Sequence, residues 1–217
     1  NHPLSTGTAY SHAAGTAQFC GDVENARRHA DAALSIAAEH GYVSGMWLAS
    51  ASATLAWALA EEGSKQEALD CIRAVLEKQA LPVFRPNHLS IYADISLKLE
   101  NSKDALAALN EALELVEKND ERWWEAELYR QKGEILLLQN AGRDEIESCF
   151  ERAIDIAQAR RLRSLELRAA TSVARMHVAR DERSEAISVL APIHDWFTEG
   201  FSTADLQTAR ALLEGLS

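Results

Sequence analysis

Residues 120–161 read DERWWEAELYRQKGEILLLQNAGRDEIESCFERAIDIAQARR. In the first half Trp124, Leu128, Leu136 and Leu137, with the small Gly133 between them, recur at the spacing of one helix face. Ile146, Phe150, Ala153, Ile154 and Ala157 do the same in the second half. The cluster Gln139-Asn140-Ala141-Gly142-Arg143-Asp144 between them favours a turn over a continued helix. The segment therefore predicts a helical hairpin.

The same unit recurs on both sides of this stretch. Hairpins are predicted over about 4–40, 43–80, 87–118, 121–160 and 163–198, and a terminal amphipathic helix over 203–216 is expected to act as a lid. Turn chemistry separates the helices at Cys20-Gly21-Asp22, where Asp22 can cap the next helix, and at Glu100-Asn101-Ser102. Pro82 and Pro86 are expected to bracket an extended link, because each disfavours helix in the residue before it. Pro192 should kink or restart the second helix of the fifth hairpin. The small or apolar residues opening each second helix, Ala26, Ala68, Ala105, Ile146 and Ala186, follow one another at 42, 37, 41 and 40 residues. A period near 40 is shared with HEAT-like arrays. The Ala-x-x-x-Leu/Phe-x-x-Ala series and the small residue at the crossing instead resemble the tetratricopeptide repeat, with Tyr129, Lys132, Gly133, Leu136, Ile146, Phe150 and Ala153 at matching positions and Lys132 where leucine is usual. The expected fold is all-α: a right-handed superhelical tetratricopeptide-like (TPR-like) solenoid of about five hairpins plus a capping helix, forming one domain over 1–217.

Composition agrees with that class. The 217 residues include only four prolines and ten glycines, and runs of alternating β-branched residues are absent. A formal charge of −11 argues against a nucleic-acid partner, which demands clustered cations. Acidity is uneven: residues 61–121 carry 13 acids and 7 bases, residues 122–181 carry 10 acids and 11 bases. The cluster Arg160, Arg161, Arg163 and Arg168 reads as a solvated helix end. Cys20, Cys71 and Cys149 are odd in number and widely spaced, so each is expected to pack as a small apolar residue, in a reducing, cytoplasmic setting. No apolar run reaches the length of a membrane span, and residue 1 reads as an internal cut of a longer chain.

The strings ERWWEAELYRQKGEILLLQ (121–139), CFERAIDIAQARRLRSLELRAATSVARM (149–176) and WFTEGFSTADLQTARALLEGL (196–216) resemble the C-terminal tetratricopeptide-like region of large bacterial signalling ATPases. In that family the region follows a predicted ATPase module, often with a class III adenylate/guanylate cyclase or a DNA-binding domain. The resemblance implies a non-catalytic, cytoplasmic regulatory region whose partner is another protein, a peptide or the upstream domains of its own chain. The family's ATPase and cyclase residues have no counterparts in this sequence.

Searches for chemistry agree with a non-enzyme. There is no G-x-x-x-x-G-K-[ST] loop, no H-E-x-x-H spacing among the seven histidines and no G-x-S-x-G elbow. Glu125 and Glu127 are two apart on a helix and diverge. His177 is the histidine expected to be buried. No cofactor or metal is expected. In a hairpin solenoid the first helices line the concave face, and counting from each crossing residue places Ser50 and Trp57, then Asn87, Ser90 and Asp94, then Glu127, Arg130 and Glu134, then Arg168, Thr171 and Arg175 on it. This predicts a polar groove with one exposed aromatic, Trp57. Its occupant is a protein or peptide, or alternatively an anionic metabolite held by Arg130, Arg168 and Arg175. Trp123 and Trp124 are adjacent, so one of them should sit at the surface. Leu4 and Tyr10 on the first helix point to a weak homodimer.

Overall fold

The computed structural model describes residues 2–78 and 83–216. Among the described residues there is no strand; the chain forms helices α1 (Pro3–Phe19), α2 (Val23–Glu39), α3 (Met46–Glu61), α4 (Lys65–Lys78), α5 (Arg85–Lys98), α6 (Ser102–Asn119), α7 (Glu125–Leu138), α8 (Arg143–Ala159), α9 (Arg163–Ala179), α10 (Arg183–His194) and α11 (Ala204–Glu214). A 3-10 turn, Arg122–Trp124, precedes α7. Successive helices pair as hairpins, α1 with α2 through α9 with α10. The residues that set the repeat, Ala26, Ala68, Ala105, Ile146 and Ala186, are all buried. Small residues at these points let the helix axes approach closely.

Two compact units divide the chain, Asn1–Glu121 and Arg122–Ser217. In the first, α1 and α2 both pack on α3, and α3 and α4 pack on α5. A buried cluster joins Ala53, Ala56 and Leu59 of α3, Ala68, Ile72 and Val75 of α4, and Ile91 and Ile95 of α5. Each large aliphatic side chain buried there contributes about 1.5–3 kcal/mol.

In the second unit α7 and α8 pack against α9, and α9 and α10 against α11. The crossing of α7 with α8 is as close as the sequence implied: a Cβ added at Gly133 would lie 2.7 Å from the Phe150 ring. The terminal helix α11 buries Leu206 and Ala209 among Leu167, Ala170, Ala174, Ala186 and Leu190 of the fifth hairpin, which is the lid the sequence predicts.

One turn closes every hairpin. After α1, α3, α5, α7 and α9 a residue enters the left-handed region (Gly21, Gly63, Glu100, Asn140 and Asp181). The next amide then donates to a carbonyl deep in the last turns of the helix: Asp22 N to Ala17 O, Ser64 N to Leu59 O, Asn101 N to Ser96 O, Ala141 N to Leu136 O and Glu182 N to His177 O, at 2.8–3.0 Å. This Schellman geometry satisfies carbonyls that the helix end would otherwise leave unpaired. Asp22 and Asn101 then cap α2 and α6, accepting from the backbone amides of Asn25 and Asp104.

Several boundaries differ from expectation. The extended link is not seen at Pro86, which sits in the first turn of α5, where a missing N–H costs no helix bond; Pro82, the other end of that link, lies outside the described residues. The backbone instead turns at Phe84 (φ 64°), whose amide donates to Glu121 Oε1 at 2.8 Å. Pro192 does not restart a helix; α10 runs through it and ends two residues later, short of the expected 198. The first helix of the second hairpin starts at Met46, after Gly45 at φ 140°, rather than at Val43.

Candidate functional site

The five predicted site residues of the first unit lie on α3 and α5. Asn87, Ser90 and Asp94 follow one another by three and four residues and so form one stripe. Asn87 and Ser90 are buried, although both are polar. The Nδ2 of Asn87 meets no hydrogen-bond partner among the described residues. An amide donor desolvated without an acceptor costs about 1–3 kcal/mol. Asp94 bonds Lys98 Nζ at 2.6 Å, and Lys98 also reaches Glu61 of α3 at 2.6 Å. Burial opposes the charge on Lys98, but Asp94 and Glu61 outweigh it and hold the ammonium above its usual range. Trp57 is not the exposed aromatic expected: its ring is half-buried against the α3–α4–α5 cluster, because an indole on α3 reaches that apolar surface more cheaply than water. Ser50, nearly two turns earlier on α3, is half-buried.

In the second unit four of the six predicted residues meet in one network. Arg130 grips Glu127 with two parallel bonds, Nε to Oε2 at 2.9 Å and Nη2 to Oε1 at 2.6 Å, and its Nη1 contacts Glu134 at 2.7 Å. Ser172 on α9 donates to Glu134 at 2.8 Å, and Arg168 bonds Asp205 of α11 at 2.7 Å while lying 3.9 Å from Glu127. Burial resists ionisation of Glu127, yet Arg130 and Arg168 more than offset it and keep its carboxyl below the usual range. Burial likewise works against Arg130, and Glu127 with Glu134 overcomes it and raises the guanidinium further. Thr171 is buried with its hydroxyl on the Leu167 carbonyl, so it faces the core side of α9, and Arg175 is exposed.

The network includes two residues that the sequence reading did not name. Ser172, not Thr171, shares the Arg168 face, since four residues overshoot a helical turn by less than three fall short of it. Asp205 stands 37 residues after Arg168, within the range of the repeat spacing, and that recurrence was the available signal.

Other side chains depart from expectation as well. The buried histidine is His88, not His177; burial, with Arg85 nearby, lowers His88 to a pKa of about 4. His177 lies in the last turn of α9 and reaches past it to Glu182, 2.6 Å from Nδ1. Cys149 is buried and Cys71 partly so, but Cys20 is exposed because it caps α1 at the surface turn. Trp124 is buried and Trp123 half-buried, their rings 5.2 Å apart. Glu125 turns to Arg122 and Glu127 to Arg130, diverging as expected. Among the described residues no group of three or more His, Cys, Asp or Glu could hold a metal, and no helix is long and apolar enough to cross a membrane.

These hairpins define the class of fold: a TPR-like helical repeat. The chain is similar to the Podosopora anserina putative kinesin light chain nearly identical TPR-like repeats, with TM-score 0.58 and 18% identity over 99% of this chain and 98% of that one. It is also similar to a Rap protein complexed with competence and sporulation factor, with TM-score 0.68 and 13% identity, all of this chain spanning 64% of that one. BtubC from P. vanneervenii matches with TM-score 0.60 and 12% identity over 100% of this chain and 90% of that one. No family model matches the sequence, and no curated protein does.

Proposed function

We propose that this chain is a non-catalytic scaffold whose first helices each offer a polar stripe to a protein or peptide, with Ser50, Trp57, Asn87, Ser90 and Asp94 in the first unit and, separately, Glu127, Arg130, Glu134, Arg168 and Arg175 in the second, the core-facing Thr171 being left out. The observation that carries this reading is the desolvated, unmatched donor of Asn87. A buried amide without an acceptor is a standing cost, and a peptide segment that opens the α5 face enough for one of its carbonyls to reach the Asn87 amide would remove it. The fold fits the role, since stacked hairpins use their first helices as binding surfaces. The Rap protein of similar fold is complexed with competence and sporulation factor, which supports a bound partner for this chain too.

The metabolite alternative draws no support from Arg130 and Arg168, which leaves it the exposed Arg175 alone. Arg130 and Arg168 are matched by Glu127, Glu134 and Asp205, three carboxylates against two guanidiniums, so an anion would have to displace charge already paired. In the same reading, residues 1–217 act as one regulatory domain of a larger cytoplasmic bacterial signalling protein, with upstream ATPase or cyclase domains as the partner in cis. Nucleic acid is disfavoured by the charge of −11.

The test is selection of displayed random peptides against the chain, followed by affinities of the enriched sequences. Asn87→Ala is expected to weaken them about tenfold, the worth of one good desolvated hydrogen bond, while Lys103→Ala, an exposed position on the second helix α6, leaves them unchanged. Enriched peptides that bind Asn87→Ala as well as the parent would overturn the reading.

A further inference from the structure

The segment joining α10 to α11, residues 195–203, is held at both ends and yet turns aromatic side chains outward. Phe197 packs against the core of the fifth hairpin and its amide donates to His194 O at 3.1 Å. At the far end both the amide and the hydroxyl of Thr203 donate to Gly200 O, at 2.9 and 2.8 Å. Between these anchors Trp196 stays 55% exposed and Phe201 45% exposed. The Trp196 ring stands edge-on to Phe197 at 5.2 Å, so its orientation is set by a neighbour that is itself packed. Large aromatics left in water on an ordered loop are what interfaces use, because little side-chain entropy is lost when they are covered.

Charge decides what would cover them. No lysine or arginine occurs from residue 184 to residue 209, whereas Asp195 and Glu199 flank the aromatics and are themselves exposed. The guanidinium carbon of Arg163, from the start of α9, lies 4.9 Å from the Trp196 centroid. The ring thus already serves as a seat for a guanidinium, and its exposure leaves room for another. An acidic partner would be repelled here, and a purely apolar one would leave two carboxylates desolvated beside it.

We propose that the 195–203 loop is a docking surface for an arginine- or lysine-bearing segment of a partner protein, whose cations stack on Trp196 and Phe201 and pair with Asp195 and Glu199. This surface is separate from the polar stripes of α3, α5, α7 and α9 and does not depend on them.

The probe is a fluorescein-labelled peptide of alternating arginine and glycine, with a citrulline-for-arginine version as the neutral control, read by anisotropy at moderate salt on the full chain. The arginine peptide is expected to bind saturably and the citrulline peptide not. Trp196→Ala should weaken binding about tenfold, the worth of a partly desolvated cation–π contact, and Phe201→Ser and the double variant Asp195→Asn/Glu199→Gln should each weaken it several-fold. Since all four side chains are exposed, the variants should melt with the parent. Absence of saturable binding, equal binding of the citrulline peptide, or full binding to the Trp196→Ala/Phe201→Ser chain would overturn the proposal. So would sedimentation showing self-association lost on Trp196→Ala, which would make a second copy the occupant.

Discussion

Gly133 is the residue at which the sequence pattern becomes a physical constraint. Its missing Cβ is the space that the Phe150 ring occupies, with ring carbons at 2.7–3.0 Å from where that atom would be. Gly133→Leu should separate α7 from α8 and destabilise by about 1–3 kcal/mol through overpacking. Urea denaturation measures it, and an unchanged midpoint would place the crossing elsewhere. His88 exerts a different constraint, on protons. Its pKa falls from the ordinary 6.5 to about 4 on folding, so between those values the unfolded chain takes up a proton that the folded chain refuses. The stability this residue allows is therefore whole above pH 6.5 and drains as pH falls toward 4, by up to about 1.4 kcal/mol for each tenfold rise in proton concentration. A series of urea midpoints from pH 7 to about pH 4 should show a shallower decline for His88→Gln than for the parent; parallel curves would remove His88 from the acid response. The burial of His88 was not legible beforehand, since it depends on where α5 begins, and the first-turn position of Pro86 moved that start away from the expected link.

Elements were the most legible scale. Each hairpin turn carried Gly, Asn, Asp or Ser at the point where the chain reverses, and the alanines at helix crossings gave the pairing directly. What local pattern could not supply was the company a side chain keeps across helices. Asp94 is committed to Lys98, which also ties α5 to Glu61 of α3, and Arg168 is committed to Asp205. Stacking rather than periodicity sets the contacts between helices, so a stripe that counted as free polar groove is partly spent on joining them. The turns differ in how well their residues suit them. Glu100 and Asp181 hold φ of 62°, a conformation glycine adopts without a Cβ clash, as Gly21 and Gly63 do at the same point of their hairpins. Glu100→Gly and Asp181→Gly should each stabilise by about 0.5–1 kcal/mol despite removing a side chain. A lower thermal midpoint in both would show that side-chain contacts outweigh the strain. At the end of the chain, removing 203–217 strips Leu206 and Ala209 from the fifth hairpin and uncovers Leu167, Ala170 and Leu190. The truncated chain should lose thermal stability or aggregate; an equally soluble and stable truncation would deny α11 its role as a lid.

For the whole molecule the balance of charge sets how copies meet. The chain carries −11, yet α1 contains no aspartate, glutamate, lysine or arginine and leaves Leu4, Tyr10 and Phe19 exposed. Two copies could join along α1 without desolvating any of those ions. We expect weak, concentration-dependent self-association through this helix, visible by sedimentation and abolished by Leu4→Glu with Tyr10→Glu; a strict monomer, or a dimer indifferent to those changes, would exclude it. Finally, the repeated Schellman turn gives every hairpin its own clock. The amides of Asp22, Ser64, Asn101, Ala141 and Glu182 are each locked by an equivalent bond to a carbonyl more than a turn back. Their deuterium uptake can begin only when the local turn opens, so these chemically matched protons, one per hairpin, would time how opening spreads along the chain and which hairpin a bound partner quiets.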